Sequence, residues 1–182
     1  MRFRYCPDCG SVLSARDLGD EINVPWCDRC CKPWFPIFPT AVIALVYNDR
    51  GEVLLLRQNY ISTEFRNLVS GYMQPGEDAE ACARREIKEE TGLEVTDLRL
   101  VLTSWFDKKE MLMIGFFAKV NEGELKLSEE VDDAGWFPES EILSYVSTRR
   151  GSASRRLCEA FLRETRHKQR PNDDALFGAR II

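Results

Sequence analysis

Residues 71–93 read GYMQPGEDAEACARREIKEETGL, and the spacing of their glycines and charges decides how the rest of the chain is read. The fixed positions follow G-x5-E-x7-R-E-(apolar)-x-E-E-x-G-(apolar), through Gly71, Glu77, Arg85, Glu86, Ile87, Glu89, Glu90, Gly92 and Leu93. At average residue frequencies such a pattern has a chance expectation on the order of 10⁻⁷ for a chain of this length, so coincidence is no competitor. The segment from Asp78 to Thr91 is rich in Ala, Arg, Glu and Lys. Asp78 is a good N-cap and Gly92 the expected residue past a C-terminus, which predicts one helix of about three to four turns. Ala79, Ala83 and Ile87 recur at i, i+4, i+8 as an apolar stripe, and Glu86, Glu89 and Glu90 share a neighbouring face, so three carboxylates are expected to converge.

The bland account of that acidic face is solvation. Yet like charges at these spacings cost a few tenths of a kcal/mol per pair, and the helix C-terminus disfavours anions. Divalent cations reverse the balance: Mg²⁺ and Mn²⁺ favour carboxylate oxygens and water, and protein-bound Mg²⁺ usually also bridges substrate phosphates. Glu86, Glu89 and Glu90 are therefore candidate ligands of Mg²⁺ or Mn²⁺, with Arg85 pairing Glu77 to fix the loop before the helix.

The chain has 182 residues, 44% apolar and 30% charged, enough for one ordinary core and a small appendage. No apolar run is long enough to span a membrane, and the amino terminus MRFRYCPDCG lacks the apolar stretch of a secretory signal. A cytoplasmic location and no membrane partner are expected. A net charge of −5 argues against a broad nucleic-acid-binding surface, although the basic stretch RRGSASRR, Arg149 to Arg156, can meet phosphate locally.

Four of the seven cysteines fall as Cys6-x2-Cys9 and Cys27-x2-Cys30, a zinc-ribbon spacing. Four thiolates close a tetrahedral ion and leave no position for substrate, so Zn²⁺ here is expected to be structural and to supply most of the folding free energy of a segment so poor in apolar residues. Redox dithiols fit less well, because no βαβ pattern surrounds the pairs. Cys31 adjoins a ligand and competes with Cys30 for its place; Cys82 and Cys158 fall in predicted helices and read as small buried hydrophobes.

Beyond the ribbon, WFPIFP reads as a linker, and TAVIALVYNDRGEVLLLRQNY as a β-hairpin turning at Asn48 to Gly51. LRLVLTSWF, EMLMIGFFAKV and GWFP supply further strands, and a last helix spans roughly Ser152 to Thr165. This order predicts an α/β fold, a mixed sheet covered by helices on both faces. The expected division is residues 1–35 as ribbon, 36–166 as the main domain and 167–182 as a loosely held tail, with the sole histidine, His167, on the surface.

The four-cysteine ribbon, the joint WFPIFPTAVIAL, the 71–93 pattern, EVDDAGWF and GSASRRLCEAF together resemble the zinc-ribbon NADH pyrophosphatase family of Nudix hydrolases, over nearly the whole chain. The resemblance implies an α/β/α Nudix sandwich and a homodimer. It implies metal-binding roles for Glu86, Glu89 and Glu90, an acidic group near the metals at Glu130, and base stacking on Tyr72. One stretch departs: where NADH-selective members carry a motif like SQPWPFPxSLM, this chain has TSWFDKKEMLM at Thr103 to Met113, with lysines in place of prolines. The metal-binding pattern is intact, so pyrophosphate hydrolysis is expected, with weak discrimination among NADH, NAD and ADP-ribose.

The expected reaction is metal-dependent hydrolysis of a nucleoside diphosphate linked to another group, foremost an NADH- or NAD-type dinucleotide. Cations on the glutamates screen the pyrophosphate and acidify a water, and Glu89 or Glu90 takes its proton. Arg57 is a candidate phosphate donor, although an Arg at a strand end is as often a surface ion-pair residue. Trp105, Phe106 and Trp136 are candidate stacking groups that compete with a core reading. The alternatives are ADP-ribose hydrolysis, removal of an NAD cap from RNA and, more distantly, a non-catalytic nucleotide sensor that binds a partner through its ribbon.

Overall fold

The computed structural model describes residues 3–121, 123–149 and 151–169, so residues 170–182 of the expected tail lie outside it. At the amino-terminal end β1 (Ser14–Leu18), β2 (Glu21–Cys27) and β3 (Lys32–Pro33) form an antiparallel sheet in that order. Among the described residues of this segment only Cys6, Val24 and Cys27 are buried. So small an apolar core stabilises little without a cross-link or an ion.

The second sheet is built around β4 (Thr40–Tyr47), whose uninterrupted run AVIALV is buried on both faces, the pattern of a central strand. It is joined by β5 (Glu52–Arg57), β6 (Val69–Tyr72), β7 (Val95–Phe106), β8 (Met111–Val120) and β9 (Asp133–Pro138). The order is β7-β8-β4-β5-β9, with β6 also on β4; the β4–β8 pair is parallel and the rest are antiparallel. One edge of β4 is shared. Its first half pairs β6, from Ala41 opposite Tyr72 to Ala44 opposite Val69, and its end pairs β5 at Tyr47 opposite Val53. The sheet therefore forks, and the fork delivers Gly71 and Tyr72 to the helix that follows.

Strand alternation divides the core between two faces. Val42, Ala44, Val46, Leu54 and Leu56 pack on α1 (Ala79–Thr91) through Cys82, Ala83 and Ile87. Ile43, Leu45, Val53 and Leu55 face α2 (Ile142–Tyr145) and α3 (Ala153–Gln169) through Ile142, Leu157, Cys158 and Phe161. The result is the expected α/β/α sandwich on a mixed sheet, with Cys82 and Cys158 buried as read. Helix α3 runs past Thr165 and through His167, which is exposed, because no proline or glycine interrupts the sequence from Ala153 to Gln169. No helix among the described residues is long and apolar enough to cross a membrane.

Candidate active site

Both ends of α1 are capped as its sequence dictates. Asp78 accepts the Ala81 N–H at 2.7 Å, and Gly92 closes the helix at φ 76°, its N–H donating to the Lys88 carbonyl at 2.9 Å. A left-handed φ costs an L-residue about 1–2 kcal/mol, which glycine avoids. With Ala83 and Ile87 locked into the core, the glutamates fall at graded depths: Glu90 is 4% exposed, Glu86 is partly buried, and the Glu89 side chain is 56% exposed.

Arg85 ties this cluster to the sheet. Its guanidinium grips Glu77 at 2.8 and 3.0 Å, donates to Glu86 at 2.6 Å and Glu89 at 2.9 Å, and reaches the Tyr72 carbonyl at 3.2 Å. The Arg85 guanidinium and the Gln74 N–H hold the Glu77 carboxyl down at about 2. The expected Arg85–Glu77 pair is thus present, but Arg85 also draws Glu86 and Glu89 toward itself. The three carboxylates accordingly face one cleft without closing on a point. Among the described residues the cysteine quartet alone gathers three or more ligating side chains within 4.8 Å of one another.

Glu90 is held from the other side. Gln58, fully buried, donates from Nε2 to Glu90 Oε1 at 2.9 Å, while Glu90 Oε2, Gln58 Oε1 and Ser128 Oγ are buried with no hydrogen-bond partner. Burial raises the Glu90 carboxyl to about 7; the Gln58 hydrogen bond opposes the rise, and the charges of Glu86 and Glu130 add to it. Burial also raises Glu86, against the pull of Arg85. A buried acceptor oxygen without a donor is costly, and a hard divalent cation is the ligand that satisfies it. The donor set fits such an ion.

Gly71 makes room for Glu86. A Cβ at this position would lie 1.9 Å from Glu86 Cδ and 2.1 Å from its Oε1, so the carboxylate occupies the space a side chain would need.

The Glu90 position carries a pH signature. Its carboxyl is raised in the fold relative to the unfolded chain, so its contribution to stability is present below about pH 4.5 and is lost as pH rises through about 7. Glu90→Gln removes that dependence. Without added Mg²⁺ or Mn²⁺, the variant is expected to be more stable than the parent at pH 8, by about 3 kcal/mol, and to lose the advantage at pH 4.5. Urea unfolding at the two pH values measures it; equal differences at both would contradict the assignment.

The carboxylates open into a cleft of about 1370 Å³. Small-molecule sites usually span roughly 300–1,000 Å³, so the cleft exceeds the need of a compact ligand. Glu86, Glu89, Glu90, Glu130, Tyr72, Trp105 and Phe106 all line it. Tyr72 and Trp105 are each about half exposed, and Phe38 packs edge-on against Trp105 at 5.4 Å. Two expected residues are not brought there. Arg57 turns to the Thr63 carbonyl at 2.9 Å, and Trp136, opposite Leu54 on β9, packs against the core.

The structure adds Gln58 and Glu129, both missed in the sequence. Gln58 left a signal: it continues the i, i+2 series of Leu54 and Leu56 onto the α1 face, a polar residue where the period demands burial. Glu129 and Glu130 come with the loop whose Ser128 N–H reaches the Glu90 carbonyl at 3.4 Å.

In the ribbon the four sulfurs of Cys6, Cys9, Cys27 and Cys30 lie within 4.8 Å of one another, with Cys6–Cys30 at 3.9 Å and Cys9–Cys27 at 3.5 Å. A tetrahedral ion with metal–sulfur bonds of about 2.3 Å requires sulfurs roughly 3.8 Å apart, so the quartet fits one ion. Cys31 does not compete for it. This cysteine is exposed, at φ 52°, and its thiol donates to the Asp28 carbonyl at 3.4 Å.

A family model described as the NUDIX domain matches residues 37–161. The chain is 33% identical over 137 residues to a protein of Chromobacterium violaceum named NAD-capped RNA hydrolase NudC, covering 74% of this chain and 49% of that one. It is 31% identical over 163 residues to the protein of that name from Stutzerimonas stutzeri, covering 88% and 56%. The chain thus spans about half the length of these curated relatives. The crystal structure of a NUDIX hydrolase from Nitrosomonas europaea superposes with a TM-score of 0.68 at 21% identity, over 92% of this chain and 93% of that one, a likeness of fold.

Proposed function

The chain belongs to the NUDIX family, and from that premise we propose that it hydrolyses the pyrophosphate of a nucleoside diphosphate linked to a second group, an NADH- or NAD-type dinucleotide foremost. The observation that carries this reading is the buried, unpartnered Oε2 of Glu90 beside Glu86, in a cleft that also presents Tyr72 and Trp105. Glu86, Glu89 and Glu90 hold the Mg²⁺ or Mn²⁺, and Glu130 approaches from the facing loop. A divalent cation in that set supplies positive charge to the bridging oxygens and acidifies water.

The chain's own residues do the positioning. Gln58 fixes one Glu90 oxygen and leaves the other for the cation, Arg85 anchors Glu77 and Tyr72 so that β6 and α1 keep their spacing, and the aromatic rings of Tyr72 and Trp105 offer faces to a base. Residues 1–35 act as a ribbon on one Zn²⁺, residues 36–166 as the hydrolase unit, and the assembly is a homodimer. Removal of an NAD cap from RNA is the second reading, supported by the names of the relatives. A purely sensing role fits less well, because no position of the 71–93 pattern is lost.

A hydrolysis panel with product identification tests the function. With Mg²⁺ or Mn²⁺, NADH, NAD and ADP-ribose are each expected to yield a nucleoside monophosphate, with kcat/KM values within roughly thirtyfold of one another, as one or two kcal/mol of differential contact allows. No cleavage of any of the three under either metal would remove the proposal. For the ribbon, elemental analysis is expected to find one zinc per chain, lost in Cys27→Ser together with the ribbon's resistance to proteolysis. Zinc-free, protease-resistant parent protein would contradict it.

A further inference from the structure

We propose that Tyr60 is a substrate-contacting residue of the hydrolase, its hydroxyl donating to a non-bridging oxygen of the pyrophosphate. The inference rests on the functional reading above and adds to it a residue outside the 71–93 pattern. Tyr60 stands in the turn that follows β5, and the backbone of that turn is held in place around it. The Gln58 carbonyl accepts the Ile61 and Ser62 N–H groups at 2.9 and 3.0 Å, and the Asn59 N–H donates to Asp132 Oδ2 at 2.7 Å. Tyr60 is 68% exposed, so apolar burial contributes little to where its ring lies. A polar contact fixes the other end of the side chain: Gln58 Nε2, which donates to Glu90 Oε1 at 2.9 Å, also donates to the Tyr60 hydroxyl at 3.4 Å. One buried amide thus joins the Glu90 carboxylate to the phenol, and Tyr60 lines the same cleft as Glu86, Glu90 and Glu130.

The hydroxyl has a proton to give. Its oxygen accepts from Gln58, so its own O–H is left to donate, and among the described residues no acceptor takes it. Burial and then the charges of Glu130, Glu90 and Glu86 push the phenol up, so all three carboxylates bear on the hydroxyl and it stays protonated. A neutral donor suits a cleft of this charge. A cation in its place would be captured by the glutamates, as Arg85 is by Glu77, Glu86 and Glu89, whereas the phenol remains available. A pyrophosphate bound beside these glutamates brings anionic non-bridging oxygens, and hydrogen bonds to charged oxygens are roughly twice as strong as neutral ones. The pyrophosphate is common to NADH, NAD and ADP-ribose, so the contact serves all three alike.

The test compares the parent with Tyr60→Phe, which keeps the ring and removes one oxygen, and with Tyr60→Leu, which removes the ring as well. Tyr60→Phe is expected to lower kcat/KM for NADH, NAD and ADP-ribose by a similar factor of at least about tenfold, as loss of a hydrogen bond to a charged group does. In the presence of Mg²⁺ it should weaken binding of α,β-methylene ADP-ribose, read by calorimetry, at least about fivefold. Mn²⁺ affinity without substrate is expected to stay within about twofold of the parent's. Parent-like turnover and analogue binding in Tyr60→Phe overturn the contact, and a loss confined to Tyr60→Leu assigns the ring and not the hydroxyl. A loss of Mn²⁺ affinity in Tyr60→Phe that matches the loss of turnover also overturns it, because the hydroxyl then acts on the metal site through Gln58. If the parent cleaves none of the three substrates, the hydrolase reading falls, and the analogue-binding arm still decides whether Tyr60 meets a pyrophosphate.

Discussion

Glu86→Gln is expected to lower kcat by at least about a hundredfold while the protein stays folded. Glu86 faces the cleft from α1, and its carboxyl is partly buried, so a neutral isostere relieves desolvation at the same time as it removes an anionic oxygen. Stability is therefore nearly preserved, and the loss falls on charge. Removing one oriented electrostatic group from a site of this kind costs about 10²–10³ in kcat. The Arg85 geometry sharpens the expectation: its Nη1 is shared between Glu86 and Glu89, and a cation that claims Glu86 has to draw it away from Arg85. The amide competes poorly for a hard cation, so Mn²⁺ affinity read by titration should fall with kcat. Turnover within tenfold of the parent at saturating Mg²⁺, with unchanged Mn²⁺ affinity, would take Glu86 out of the site.

Helix α1 was legible in the sequence to within its caps, because Asp78, the apolar stripe and Gly92 act over a few residues and need no tertiary information. The apolar runs of β4 and β5 and the turn between them at Asn48 to Gly51 were legible for the same reason. The cysteine quartet was legible because two C-x2-C pairs impose their own geometry. What the sequence concealed is register. Arg57 and Gln58 are neighbours at the end of β5, and a shift of one residue exchanges which of them faces α1; the structure gives that place to Gln58 and turns Arg57 to Thr63. The aromatics divide similarly, Trp105 and Phe106 to the cleft and Trp136 to the core. Helical spacing placed three glutamates together but said nothing of depth. That depth, set by how α1 lies on the sheet, raises Glu90 to about 7 and leaves Glu89 half exposed.

Gly71→Ala is expected to be almost as damaging to turnover as Glu86→Gln, although it adds one methyl group and removes no charge. Gly71 lies in β6 opposite Val42, and its φ is not in the left-handed region, so alanine there meets no backbone strain. The obstacle is steric: the new Cβ would lie 1.9 to 2.2 Å from three atoms of the Glu86 carboxyl group, and real contacts of that length do not exist. Either β6 moves off α1 or Glu86 rotates out of its place. The first route loosens Arg85 from the Tyr72 carbonyl and costs about 1–3 kcal/mol, as overpacking usually does. The second leaves stability nearly intact and misplaces the carboxylate, for which a loss of roughly a hundredfold in kcat is expected. A double-mutant cycle separates a local from a general effect. If the damage runs through Glu86, then Gly71→Ala combined with Glu86→Gln is no slower than Glu86→Gln alone by more than about threefold, whereas independent effects multiply. Additive losses, or Gly71→Ala with turnover near the parent's, would show that the close approach of β6 and α1 does not set the position of the carboxylate.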